Sequence, residues 1–240
     1  MFKEFKSLFT TKKGVLVTLA IITVAICAYL NIITIKSLMI GNFGISYGTL
    51  LISFLPMITS EIMSEVYGWK KGFVISSLAY TVCLVFVLIL WGSTKLPGEV
   101  FEGFGTEAYN MIFESSPIIL IASAIAYYLG IFFNCFIMGK MKKKAQESGK
   151  DNGGKLFSRF ALSTMVGQTL DNGVFFLIPF FFGTWGWTYV WQQTLAAFVI
   201  EIAYEIIFFA LTRYLTKKIK ELPEDEYSQG DELVNDSNNL

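Results

Sequence analysis

Six long apolar blocks constrain the fold of this chain more than any other feature. Each approaches the roughly 20 residues that a helix needs to cross a bilayer. Hydrophobic residues make up 54% of the 240 residues and charged residues 16%, whereas about a quarter of an ordinary soluble domain is charged. The pattern predicts an all-α integral membrane protein with six transmembrane helices, the second being the shortest. The blocks lie at about Val15–Ile35, Thr49–Val66, Phe73–Trp91, Pro117–Met138, Phe160–Gly183 and Tyr189–Leu211.

Lysine and arginine fall almost entirely on one side of this arrangement. Of the 19 basic residues, only Lys36 and Lys95 lie in the loops of the opposite side. Cytoplasmic loops are enriched in Lys and Arg, so both termini are predicted to be cytoplasmic, which agrees with an even number of spans. We therefore predict a cytoplasmic N-terminus (1–14), a membrane domain (15–212) in the plasma membrane, and a cytoplasmic, acidic and largely disordered tail (213–240). No cleavable signal peptide is predicted.

Composition disfavours several kinds of site. The chain has no histidine, and Cys27, Cys83 and Cys135 stand singly in three different blocks. Neither a Cys/His metal site nor a disulfide framework is predicted, and no cofactor is expected. The basic residues cluster at the membrane surface, which indicates topology and lipid contact and argues against nucleic-acid binding. The expected partners are the lipid bilayer and a small molecule.

Carboxylates interrupt the second, fifth and sixth blocks. Glu61 and Glu65 are four residues apart, Glu201 and Glu205 repeat that spacing, and Asp171 lies deep in the fifth block. Residues at i and i+4 share one helix face, and intramembrane ionisable groups normally face a bundle interior or a water-filled cavity. The three polar stripes are therefore predicted to converge. Amide side chains accompany them at Asn31, Asn134, Gln168, Asn172, Gln192 and Gln193.

Structural roles stay open for some of these groups. Glu65 equally fits the membrane interface, where Lys70 or Lys71 would neutralise it, and Glu205 also fits an interhelical hydrogen bond. Asp171 and Glu61 are the stronger functional candidates. On the fourth block, the small residues Ala122, Ala126 and Gly130 recur every four positions, which favours close helix packing.

Backbone-breaking residues occur in the second and fifth blocks. The second contains Pro56, and the fifth contains Gly167, Gly173 and Pro179. Interrupted helices at corresponding positions of two halves are a pointer to a transporter binding site. We therefore predict a 3+3 inverted repeat, with a midplane site between spans two, five and six.

Three stretches carry a family resemblance. SEIMSEVYGWKKG (Ser60–Gly72) resembles the TDxxxExYG[KR][KR][AG] signature of the queuosine precursor transporters, a group formerly placed with the vitamin uptake transporters. LSTMVGQTLDNGVFF (Leu162–Phe176) is similar to their STxx[SG]QxxD[TS]xxFF, and SPIILIASAIAY (Ser116–Tyr127) and Asn31 also fit. The chain departs from the pattern at Glu61 and Asn134, where many members have Asp, and at Ile118, where many have Arg.

The resemblance implies uptake of 7-cyano-7-deazaguanine, its aminomethyl analogue or queuine. A carboxylate can accept the adjacent ring N–H and exocyclic amine of such a base as a bidentate pair. An amide can bind the neighbouring carbonyl, and aromatic rings such as Tyr67 or Phe175 can stack on the plane. The same polar residues would also suit a cation. The predicted binding residues are Asn31, Glu61, Tyr67, Asn134, Gln168, Asp171, Asn172, Phe175, Glu201 and Glu205.

Two other functions compete with a self-sufficient carrier. One is the substrate-binding membrane subunit of a multi-component vitamin importer, which a compact six-helix chain fits equally well. The other is an intramembrane enzyme that uses Asp171 with Glu61 or Glu201 as an acid–base pair. The chain is predicted to be a carrier and not an enzyme. The sequence leaves open whether a proton drives uptake, and it leaves open the oligomeric state.

Overall fold

The computed structural model describes residues 2–34, 36–41, 43–98, 105–114, 117–149 and 152–224. The acidic tail beyond Glu224 lies outside this part, and so does the side chain of Asn31. The elements are α1 (Phe2–Thr10), α2 (Lys12–Ile33), β1 (Ser37–Ile40), β2 (Phe43–Ser46), α3 (Tyr47–Leu51), α4 (Leu55–Tyr67), α5 (Trp69–Ser93), α6 (Gly105–Phe113), α7 (Pro117–Glu147), α8 (Gly153–Phe181) and α9 (Trp187–Lys220).

Four helical stretches of the described residues are long and apolar enough to cross a membrane. They are Lys12–Leu30, Trp69–Ser93, Gly105–Glu147, which includes α7, and Trp187–Lys220. The other two predicted spans correspond to α3 with α4, and to α8. The break leaves α3 and α4 with only 5 and 13 residues, so neither is long enough to span alone. α8 is long enough, but Arg159, Gln168 and Asp171 lower its mean hydropathy. Six spans stay a prediction.

The second predicted span is broken, as its proline suggested. Ile52 to Phe54 form a turn between α3 and α4, and Pro56 occupies the first turn of α4, where a missing N–H costs least. Tyr204 of α9 supports the break: its ring stacks on Phe54 at 4.0 Å, and its hydroxyl donates to the Leu50 carbonyl.

The fifth predicted span is not broken. α8 runs without interruption from Gly153 to Phe181, and Pro179 lies within its last turn. Gly167 does not break the helix. It allows α8 to pack closely on α7, because it lies against Gly130. A Cβ added to Gly130 would lie 2.8 Å from the Asp171 Cβ and 2.9 Å from the Gly167 carbonyl oxygen. Ala122 and Ala126 on the same α7 face are fully buried, so the predicted packing role of this small-residue face is confirmed.

A short antiparallel hairpin fills the loop between α2 and α3, where the sequence indicated no strand. β1 pairs with β2 in the register Ser37↔Ser46 to Ile40↔Phe43, and Gly41 enters the turn at φ 60°. The Gln193 amide of α9 donates to the Gly44 carbonyl, which fixes the hairpin over one end of the bundle. We call this the hairpin end.

The opposite end carries both ends of the described chain, and we call it the terminal end. The Lys12 backbone N–H donates to the Pro223 carbonyl at 2.9 Å, and the Lys12 ammonium pairs with Glu224 at 3.0 Å. Tyr67, at the end of α4, donates its hydroxyl to the Lys12 carbonyl at 2.6 Å. The starts of α2 and α5 and the ends of α4 and α9 therefore meet there.

Candidate functional site

A cavity of about 400 Å³ lies in the half of the bundle nearer the hairpin end. Its wall combines the last turns of α2, the hairpin, the α3–α4 break, the first turns of α7 and α9, and the middle of α5 and α8. This volume lies near the lower end of the roughly 300–1,000 Å³ that is typical of small-molecule sites. The broken second span forms part of the wall through Ser53, Pro56 and Met57.

One wall of the cavity is an ordered polar network between α8 and α9. The Asn172 amide donates to Glu201 Oε2 at 2.8 Å and to Gln168 Oε1 at 3.4 Å. Gln168 and Glu201 are each 3% exposed. Within the described residues, no acceptor is bonded to the Gln168 amide nitrogen, so that N–H₂ group can donate to a ligand.

Asp171 is the accessible carboxylate of this wall. It lies half-buried on α8 and lines the cavity together with Tyr80 of α5 and Tyr127 of α7. In the part of the chain that the structure describes, its oxygens accept no hydrogen bond and pair with no cation. A carboxylate placed this way can accept donors from a ligand.

Aromatic rings flank the polar wall. On one side Tyr80 of α5 stacks on Tyr127 of α7, with the ring centroids 4.1 Å apart, and the Tyr80 hydroxyl contacts Ser123 Oγ at 2.7 Å. On the other side Phe175 and Trp185 pack edge-on at 5.6 Å, and Phe176 and Tyr189 complete the cluster. The cavity therefore offers apolar faces for a planar molecule and polar groups for its edge.

Two more carboxyls lie one helical turn beyond the cavity, towards the terminal end. The Thr164 hydroxyl donates to Glu61 Oε1 and lies 3.3 Å from Glu205 Oε2. Glu61 is fully buried, and Glu205 is 6% exposed. We call Glu61, Thr164 and Glu205 the carboxyl layer. Asn134 of α7 is fully buried nearby, and its side-chain oxygen accepts a hydrogen bond at 3.3 Å from the hydroxyl of Ser60, the residue that precedes Glu61.

A further turn along α4, Glu65 binds cations from three other helices. Glu65 Oε1 lies 3.2 Å from Nη2 of Arg159 on α8, 3.8 Å from Nζ of Lys142 on α7 and 2.5 Å from Nζ of Lys220 on α9. Glu65 and Arg159 are almost fully buried. The counter-ions of Glu65 are therefore not Lys70 and Lys71, as the sequence analysis expected for an interface position, because both of these lysines are exposed.

A family model described as "Putative vitamin uptake transporter" matches residues 46–215. This match covers the broken second span, the cavity residues of α7 to α9, and all of the carboxyl layer. The chain belongs to the vitamin uptake transporter family. No curated protein and no solved structure was found to match it.

The transporter brings half of its predicted binding residues together at the cavity. Gln168, Asp171, Asn172, Phe175 and Glu201 line it. Three others, Glu61, Asn134 and Glu205, are not among the lining residues and lie in or against the carboxyl layer. Tyr67 lies at the terminal end, where its hydroxyl bonds to Lys12, so the structure does not bring it to the cavity.

Some cavity residues of the transporter escaped the sequence analysis. Tyr80 and Tyr127 sit singly among apolar residues of long helices, and only the three-dimensional packing of α5 on α7 stacks them. Trp185, in the short loop between α8 and α9, also lines the cavity, whereas the neighbouring Trp187 and Trp191 are exposed. The position of Trp185 in the sequence does not distinguish it from Trp187 and Trp191, so its place in the cavity wall could not be predicted.

Proposed function

We propose that this transporter takes up a queuosine precursor, which is 7-cyano-7-deazaguanine, its aminomethyl analogue or queuine. The observation that carries the proposal is Asp171, an unpaired carboxylate among the described residues that faces a cavity between aromatic walls. Such a carboxylate can accept the ring N–H and the exocyclic amine of the base together, as a bidentate charged acceptor. Gln168 would then donate its amide N–H₂ to the carbonyl of the same edge.

The aromatic pairs would hold the plane of the base. Tyr80 with Tyr127, and Phe175 with Trp185, offer apolar ring surfaces on two sides of the polar wall. Stacking on such rings contributes about 0.5–1.5 kcal/mol beyond simple burial. Asn172 and Glu201 would act by positioning Gln168, because their hydrogen bonds fix the amide orientation along α8.

The membrane arrangement proposed with this function has six spans and cytoplasmic termini in the plasma membrane. Residues 1–14 and 213–240 would lie in the cytoplasm, and the terminal end would face it. The cation-rich cluster around Glu65 supports this orientation, since Lys and Arg favour the cytoplasmic side. The cavity would then open from the outer half of the membrane, with the carboxyl layer and the Glu65 cluster closing the inner half.

The test is a salvage experiment in cells that cannot make deazaguanines. Cells expressing the transporter are given 7-cyano-7-deazaguanine outside at low micromolar concentration, and queuosine in their tRNA is measured. We expect queuosine at several times the level of empty-vector cells. Cells expressing Glu147→Gln, at an exposed carboxylate on α7, serve as the matched control and should equal the wild type. No gain over empty vector, with the protein present in the membrane, would contradict the proposal.

A further inference from the structure

The carboxyl layer repeats the cavity wall one helical turn further in. On α4, Met57 lines the cavity and Glu61 follows four residues later; on α9, Glu201 lines it and Glu205 follows. On α8, which runs the other way, Gln168 is followed inward by Thr164. Four residues of helix rise about 6 Å. The carboxyl layer thus lies directly beneath the cavity and on the route to the terminal end.

The two contacts between Thr164 and the carboxyls need one more hydrogen than the Thr164 hydroxyl supplies. Thr164 has one hydroxyl hydrogen, yet its oxygen lies within bonding distance of both Glu61 Oε1 and Glu205 Oε2. Ser163 Oγ lies 3.4 Å from Glu61 Oε1 but is 3.0 Å from the Phe160 carbonyl, which it also serves as a donor. A carboxyl that carries its own proton can donate to the Thr164 oxygen and complete both contacts.

An unpartnered carboxyl oxygen at the same place supports this interpretation. Glu61 Oε2 is buried and accepts no hydrogen bond within bonding distance from the described residues. Neither Glu61 nor Glu205 pairs with a cation in the described part of the chain. A buried carboxylate without a counter-ion is costly, and a bound proton removes that cost.

The cations nearest to the carboxyl layer are bound to Glu65, so a proton is what can neutralise the negative charge of Glu61 or Glu205. Glu65 lies one turn further along α4, and Arg159 of α8 binds it. Glu201 and Asp171 line the cavity on the other side of the layer, and on α7 fully buried Cys135 follows Asn134. The two flanking lysines, Lys142 and Lys220, contact Glu65.

We propose that Glu61, Thr164 and Glu205 form a proton site that couples substrate uptake to the proton gradient. The proposal rests on the proposed function, because the driven substrate is the deazaguanine base. One proton enters from the outer side past Glu201, binds a carboxylate of the pair to give a neutral carboxyl, and leaves to the cytoplasm when the inner half opens. Each turnover moves one base and one proton inward and returns the pair to its starting charge.

The test uses the purified full-length chain in liposomes of phosphatidylcholine and phosphatidylglycerol, with labelled 7-cyano-7-deazaguanine outside. With the outside one pH unit more acidic, one coupled proton supports about tenfold accumulation, because one pH unit is a tenfold ratio. At equal pH, adding the base should acidify the lumen, as read by an internal dye. Glu61→Gln and Glu205→Gln should lose both signals but still exchange labelled for unlabelled base, since exchange moves no net proton. Glu147→Gln should behave as the wild type.

The outcomes separate this inference from the proposed function. Base exchange by the wild type without lumen acidification or pH-driven accumulation would overturn the proton site and leave the transport proposal standing. Absence of both exchange and uptake would overturn both. Coupled uptake by both Gln variants would also overturn the proton site. If these variants fail to insert, the dye signal of the wild type and the loss of accumulation in Thr164→Val decide the question.

Discussion

Replacing Asp171 by asparagine is expected to weaken binding of the base by about 10- to 100-fold. A hydrogen bond to a charged group contributes about 1.5–3 kcal/mol, and 1.4 kcal/mol is a tenfold change in affinity. Asparagine keeps the shape of the side chain but replaces one acceptor oxygen by an N–H₂ donor. This N–H₂ group would then face one of the two N–H donors of the base. The measurement is equilibrium binding of labelled 7-cyano-7-deazaguanine to the purified protein.

Competition with two analogues separates direct contact from a structural role of Asp171. For the wild type, 7-deazaguanine should compete well, and the analogue that lacks the exocyclic amine should compete at least about tenfold more weakly. In Asp171→Asn this difference should nearly vanish. Equal affinity of Asp171→Asn and wild type for the base, at normal expression, would show that Asp171 does not bind it.

Replacing Gly130 by valine is expected to destabilise the protein and abolish transport. Its Cβ would lie 2.8 Å from the Asp171 Cβ and 2.9 Å from the Gly167 carbonyl, so α7 and α8 must separate. Overpacking of this kind costs about 1–3 kcal/mol, which corresponds to a fall of about 2–12 °C in Tm for a chain of this size. The measurement is thermal unfolding of the purified protein in detergent.

Gly173→Ala is the matched control on α8. A Cβ at Gly173 meets no atom within 4 Å, and alanine favours a helix by up to about 1 kcal/mol over glycine. Its Tm should equal or slightly exceed that of the wild type. If Gly130→Val unfolds at the same temperature as Gly173→Ala, the two helices do not make the close contact described here.

Periodicity in the sequence was enough to predict which polar residues share a helix face. Gln168, Asp171 and Asn172 lie at i, i+3 and i+4, and they do line one cavity with Glu201 of α9. The quoted stretches Ser60–Gly72 and Leu162–Phe176 lie within the region that matches the family, so the family assignment is confirmed. The substrate and the six-span topology stay predictions.

Depth along a helix axis could not be predicted in the same way. The position of Glu61 relative to the cavity depends on where the second span breaks and how α4 then tilts, which is set by contacts such as Phe54 on Tyr204. The sequence predicted Glu61 as a binding residue of the same site as Asp171, whereas the structure places it one turn below the cavity, against Thr164.

The ion-pair partners of Glu65 could not be predicted from the sequence either, because they are distant in the chain. Lys70 and Lys71 are close to Glu65 in the chain, but Gly68 at φ 93° turns the chain into α5 and directs both lysines outward. The cations that reach Glu65 come from α7, α8 and α9, 77 to 155 residues away. No local pattern encodes such a pairing.

The most direct test of the central claim is uptake of labelled 7-cyano-7-deazaguanine by liposomes that contain only the purified chain. We predict saturable uptake by the wild type, none by protein-free liposomes, and strongly reduced uptake by Asp171→Asn. Tight binding of the base without any uptake would contradict the account, because the chain would then be the binding subunit of a larger importer.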